Sequence, residues 1–193
     1  MKAKFILHGG FTPSALQAND SFFGEVLKDA PAEAKILLVY FAKENDRVEK
    51  NKNEDIVQFN KNKGSKKLLF DVANENSFLE QVKVADIIYL HGGKSVKILE
   101  TLKKFSGLGD LFESKIIAAD SAGVNVLSAY FYSKTAGGVF KGLDILPIKI
   151  MCHYVSGMPE ELLKETAPEL ETVFIPEYAY KVIYMDDGKL SKV

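Results

Sequence analysis

The stretch "KIIAADSAGVNVLS", residues 115–128, decides how the chain is read. It opens with a short, continuous apolar run, as a strand buried on both faces requires. It then passes through Asp120-Ser121-Ala122-Gly123, small residues that permit a tight bend, and continues into the helical segment "AGVNVLSAYF". Strand, sharp turn and helix with one hydroxyl at the tip is the form of a nucleophile elbow. Ala119 stands where the G-x-S-x-G pattern has its first glycine. The amide of Ala122, at the start of the helix, would point at an oxyanion formed when Ser121 attacks a carbonyl. The same serine would also serve as an ordinary N-cap, and the tetrapeptide alone leaves both readings open.

Working outward, the apolar runs recur with a rhythm. "KFILH" (4–8), "KILLVYF" (35–41), "KLLF" (67–70), "ADIIYL" (85–90) and "KIIAA" (115–119) read as buried strands. Between them lie helical spacings: Leu16, Phe23, Val26 and Leu27; Val48, Ile56, Val57 and Phe59, with Gly64 as a stop; Val96, Leu99 and Phe105. Such alternation implies right-handed crossovers and a mostly parallel sheet covered by helices. The expected fold is a three-layer α/β sandwich in one domain over residues 1–193. After Tyr130 the pattern loosens: a turn-rich loop or hairpin, a late strand "IKIMCHY", a short helix "PEELLKET", then "ETVFIPE" and "YKVIYMDDGKLSKV" as terminal strands, with "MDDGKL" as a hairpin turn.

Composition narrows the class. A net charge of -1 gives no electrostatic reason to expect nucleic acid or an anionic membrane. Arg47 is the only arginine, so bidentate carboxylate clamps are nearly excluded. Cys152 is the only cysteine, which excludes an internal disulfide and fits a reducing cytoplasm. No apolar run approaches the ~20 residues that span a bilayer. A cytoplasmic protein is expected.

A serine needs a base. His153, ending "IMCHY", would arrive at the same rim as Ser121 if the late strand runs parallel to the others. His8 and His91 each precede a Gly-Gly pair at a strand end, where a histidine more often bonds the loop backbone than takes a catalytic part. No H-E-x-x-H or H-x-H spacing is present, so no metal and no cofactor are expected.

With the elbow, the preceding "IIYLHGGKSVKIL" and the downstream "LDILPIKIMCHY" in this order, the chain resembles the peptidase E family of serine peptidases. That family includes aspartyl dipeptidase and, more distantly, cyanophycinase, with a fold like a class I glutamine amidotransferase domain. The resemblance runs over most of the chain, and "IPE" (175–177) resembles a further family segment. It implies Ser121 as nucleophile, His153 as general base, the amides of Gly93 and Ala122 as oxyanion hole, and Asn125 as the asparagine that ties down the elbow or borders the substrate.

Three departures follow. The family's third triad member is an acid soon after the elbow helix, yet "AYFYSKTAGGVFKG" has none. Asp144 is the only acid between Ser121 and His153, and Glu177 is the second candidate; Asp120 should point away from the serine. The segment after the histidine lacks the family's arginine, leaving Lys94 or Lys134 to read a substrate carboxylate. Lys94 also replaces an asparagine. The leading expectation is a serine hydrolase, dipeptidase-like, acting on a small peptide or amide. An esterase, or an inactive relative that binds a metabolite or partner, are the alternatives, and a homodimer is left open.

Overall fold

The structure, a computed structural model, describes residues 2–11, 17–186 and 189–192. In chain order its elements are β1 (Ala3–His8), α1 (Asp20–Lys28), β2 (Glu33–Val39), α2 (Asn45–Asn62), β3 (Lys67–Val72), α3 (Phe78–Val84), β4 (Ile87–Leu90), α4 (Ser95–Leu102), α5 (Leu108–Leu111), β5 (Ile116–Asp120), α6 (Ala122–Leu127), β6 (Ser128–Ser133), β7 (Gly138–Lys141), β8 (Leu146–Cys152), α7 (Glu160–Glu165), β9 (Glu171–Ile175), β10 (Tyr180–Asp186) and β11 (Lys189–Lys192).

The main sheet has the strand order β11-β10-β1-β5-β4-β2-β3. Its pairings from β1 through β3 are parallel, and β10 and β11 close one edge antiparallel. Side-chain alternation sorts the central strands onto two buried faces. Ile6, Ile36, Leu38, Ile87 and Ala118 face Phe22, Phe23 and Leu27 of α1 and Phe59 of α2. Phe5, Leu7, Leu37, Ile88 and Ile117 face α3, α4 and α6 and the inner residues of a second sheet. Helices on one side, sheet, and helices with a small sheet on the other make the three-layer α/β sandwich.

That second sheet, ordered β7-β6-β8-β9, is where the chain differs from the sequence reading. The elbow helix was expected to run on through "SAYF", but α6 stops at Leu127 and Ser128–Ser133 is a strand. Ser128 Oγ donates to the carbonyl of Asn125 at 2.8 Å, closing the helix end, and the residues that follow alternate between buried and half-buried as a strand does. The turn-rich segment forms the β6–β7 hairpin. Strands β6, β8 and β9 run parallel, so their C-terminal ends meet at one edge. Of the expected features, Leu16 and the turn at 187–188 lie outside the described residues. No helix among the described residues is long and apolar enough to cross a membrane.

Candidate active site

The site forms where the C-terminal ends of both sheets meet, and glycines make the meeting possible. A Cβ at Gly9 would come within 2.0 Å of the Pro176 carbonyl oxygen, and one at Gly10 within 2.1 Å of the His153 ring. With no side chains there, the exits of β8 and β9 cross onto the end of β1. The amide of His153 donates to the Gly9 carbonyl at 2.9 Å, and that of Tyr178 to the Gly10 carbonyl at 3.2 Å.

Ser121 sits on the elbow at φ 47° and ψ -101°, a region that costs a residue with a Cβ roughly 1–3 kcal/mol. The surroundings hold it there: its amide donates to the His8 carbonyl at 3.0 Å, and its carbonyl accepts from Asn125 at 2.9 Å. Gly123 lets α6 lie against β4, since a Cβ would meet the Leu90 carbonyl oxygen at 2.2 Å. The Ser121 hydroxyl reaches His153 Nε2 at 2.8 Å. On the far side of the ring, His153 Nδ1 lies 3.1 Å from Glu177 Oε1. Ser121, His153 and Glu177 therefore form one chain of hydrogen bonds, half-buried at the serine and exposed at the glutamate.

Asp144 is not part of it. It lines a cleft with Ala3 at the start of β1 and Pro147 at the start of β8, at the opposite end of the strands from His153. The physical reason is strand polarity: an acid on the approach to a strand cannot reach the residue that leaves it. Sequence order favoured Asp144 over Glu177, and the geometry reverses that order.

The glycine loop after β4 supplies the other wall. Among the described residues the amides of Gly93 and Ala122 make no backbone hydrogen bond outside the helices and strands; Ala122 follows Ser121 directly, and a Cβ at Gly92 would lie 3.2 Å from the Asp120 carbonyl oxygen, which sets this loop beside the elbow. Gly93 has φ 154° and packs so tightly that a Cβ would meet the Ala42 carbonyl oxygen at 2.5 Å. Beneath this loop runs a buried polar row: His8, Asp120, His91 and Tyr40, from four adjacent strands, all face the α1/α2 side. His8 Nδ1 accepts from the Gly10 amide at 3.1 Å, and Asp120 Oδ1 lies 3.5 Å from that nitrogen, turned away from Ser121 as expected.

His91 Nδ1 is 2.9 Å from the Gly92 carbonyl, which can only accept, so that nitrogen carries the proton. Its Nε2 faces Asp55 Oδ2 of α2 at 3.4 Å, and the Tyr40 hydroxyl donates to the same oxygen at 2.7 Å. Burial pushes the Asp55 carboxyl well above the usual carboxylate range and holds His91 below an ordinary histidine, so the neutral forms are favoured on both.

The remaining expected residues lie elsewhere. Asn125 is buried and donates to Ser95 Oγ at 3.1 Å, linking α6 to the start of α4. The Lys94 ammonium pairs with Glu44 at 2.9 Å. Lys134 is exposed on the β6–β7 turn, at the end of the second sheet that also delivers His153. Cys152 is buried, and burial raises its thiol well above the ordinary value. Among the described residues no three His, Cys, Asp or Glu side chains converge on a metal position. The sequence reading passed over Phe11, Lys43 and Tyr178, which stand around the site.

No protein-family model matches the chain, and no curated protein sequence does. Solved structures do share its fold. A peptidase from an acI-B1 actinobacterium superimposes with a TM-score of 0.70 at 18% identity, covering 100% of this chain and 88% of the other. A protein from Listeria monocytogenes EGD-e, provisionally assigned to peptidase E, gives 0.62 at 15% identity, covering 100% of both. The fold is therefore the peptidase E-like α/β sandwich.

Proposed function

We propose that this chain is a serine-type hydrolase of small peptides or amides, working through an acyl-enzyme. The observation that carries the reading is the hydrogen-bond chain from Ser121 through His153 to Glu177, built on a strained elbow. In this reading Nε2 takes the serine proton as Oγ attacks the carbonyl carbon. Glu177 holds the Nδ1 proton and stabilises the imidazolium, the part an acid plays in any such triad. The amides of Gly93 and Ala122 receive the oxyanion. The imidazolium then gives its proton to the departing amine, and water repeats the sequence on the ester. Structural neighbours described as peptidases support this class, and a single buried thiol fits a cytoplasmic enzyme.

The test is labelling with a fluorophosphonate, followed by intact mass and peptide mapping. One adduct on Ser121 is expected, absent in Ser121→Ala and strongly slowed in His153→Ala. A folded wild-type protein that takes no label, or an adduct that persists in Ser121→Ala, would sink the reading.

A further inference from the structure

Phe11 and Tyr178 are 48% and 38% exposed, and both occupy left-handed backbone, with φ 69° and 62°. Residues with a Cβ seldom adopt that conformation. Their rings stack at 5.8 Å and 20°, and Phe11 meets the His153 imidazole edge-on at 5.5 Å and 89°. Neither ring belongs to either core. They are aromatic surface held in place beside a proposed catalytic base.

Which part of a substrate they would touch follows from the chemistry of acyl transfer. As the tetrahedral intermediate collapses, the carbon–nitrogen bond breaks, and its electron pair stays on nitrogen. That nitrogen takes the proton from His153 Nε2, so the leaving amine must lie against the imidazole. Phe11 meets that imidazole edge-on. Beyond Phe11 opens a cleft of about 630 Å³ lined also by Lys43, Arg47, Lys50 and Glu54. Lys50 has Glu54 at 3.8 Å, whereas Lys43, half-buried, has no carboxylate within ion-pair distance among the described residues. Burial holds the Lys43 ammonium below the ordinary lysine value, and a bound anion would oppose that shift.

We infer that Phe11 and Tyr178 form the leaving-group subsite, that it takes an amino acid with an apolar or aromatic side chain, and that Lys43 holds that residue's free carboxylate. The inference rests on the acyl-transfer reading above and gives it a substrate class: peptides whose last residue is apolar and is released as a free amino acid. The aromatic pair receives the side chain by apolar burial and ring stacking. Lys43 selects a terminal carboxylate over an internal amide, which limits cleavage to the end of the chain.

Running the step backwards tests this without knowing the acyl half. With p-nitrophenyl acetate as donor, an added amino acid can attack the acetyl-enzyme in competition with water, passing its proton to His153 as Ser121 Oγ leaves. The measurement is the yield of N-acetyl amino acid against acetate, by mass spectrometry. L-Phenylalanine and L-leucine should capture the acetyl group about ten-fold or more better than glycine or L-aspartate. Phe11→Asn and Tyr178→Asn, chosen because asparagine tolerates left-handed backbone, should erase that advantage in the ratio of N-acetyl amino acid to acetate, a partition of the acetyl-enzyme that does not depend on how fast it forms. Lys43→Met should lower capture by L-phenylalanine relative to L-phenylalaninamide.

Equal capture of all acceptors, or capture indifferent to the two asparagine variants, overturns the subsite. So does a fall in solution mass in those variants with unchanged capture, since the rings would then be packing against a second copy. Absence of Ser121-dependent ester turnover, seen before any amino acid is added, instead removes the hydrolase reading itself. Saturation-transfer NMR of L-phenylalanine on the Ser121→Ala protein checks the subsite independently of turnover: a signal that Phe11→Asn abolishes is expected, and none at all counts against it.

Discussion

His153 and His91 both end strands at the same rim, each next to a loop that borders Ser121, and their surroundings differ in every respect. His91 continues the alternation of β4 after Ile87 and Tyr89, so its ring falls on the α1/α2 face and is sealed there with Asp55 and Tyr40. His153 arrives on the second sheet and meets the serine from outside, with 34% of its side chain exposed. A sealed imidazole can orient a backbone; only one open to the cleft can exchange protons with a substrate. The layer delivering a histidine, more than its place at a strand end, sets whether its ring is sealed or open to the cleft.

The largest expected difference lies between the two candidate carboxylates, Glu177 and Asp144. Glu177→Gln keeps the shape beside His153 Nδ1 but removes the charge that, in the proposed reading, holds the tautomer and balances the imidazolium. A loss of roughly 10³–10⁴-fold in fluorophosphonate labelling rate is expected, by analogy with other triad acids. Asp144→Asn, exposed at the far end of β8, should change the rate by no more than about two-fold. Comparable losses in both variants, or none in Glu177→Gln, would mean that the acid at 3.1 Å is not what orients the base.

Much of this is legible in the sequence. The five continuous apolar runs form the five parallel strands, four of them largely buried as such runs require, while β3 at the sheet edge alternates exposed and half-buried residues. The elbow was legible because its turn tolerates so few residues. The second sheet was not: β6 follows α6 with no intervening turn residue, so its first turn of sequence reads as more helix. Glu177 reads as the weaker candidate because the chain places it after His153, and only the Gly9–Gly10 crossing, where β8 and β9 exit together, brings the two side by side. Phe11 and Tyr178 carried no signal beyond adjacency, since nothing in "HGGF" or "PEYAY" announces positive φ at a bulky residue.

The sealed histidine has its own expected effect, smaller than that of Glu177. Its Nδ1–H fixes the Gly92 carbonyl, and all peptide bonds among the described residues are trans. In a trans peptide the next N–H points opposite to the carbonyl, so pinning Gly92 C=O inward turns the Gly93 amide outward toward the proposed oxyanion. Asparagine can place an amide donor near the Nδ1 position, while glutamine places it near Nε2. His91→Gln should therefore lower kcat by roughly 10–100-fold with little change in KM, and His91→Asn should recover most of it. Equal damage from both, carried in KM or in unfolding, would reduce His91 to packing.

The smallest expected effect is on stability, and it tests whether the row beneath the loop is neutral. The folded-state value of Asp55 is raised. As pH climbs past the unfolded-state value of about 3.9 the unfolded chain releases a proton that the folded one keeps, so stability falls with rising pH until the folded-state value is reached. His91 is depressed, so its contribution is lost in the other direction, as pH falls through about 6.5 and the unfolded chain binds a proton first. Asp55→Asn removes only the first slope, and its amide oxygen can still accept from Tyr40. Urea titrations at pH 4, 5.5 and 7 should show the variant gaining on the wild type as pH rises. The reverse trend, a variant weakest at pH 7, would mean that Asp55 is ionised against a charged His91. The 3.4 Å contact would then be a buried ion pair, and the contrast between a sealed neutral row and an open, proton-exchanging rim would no longer hold.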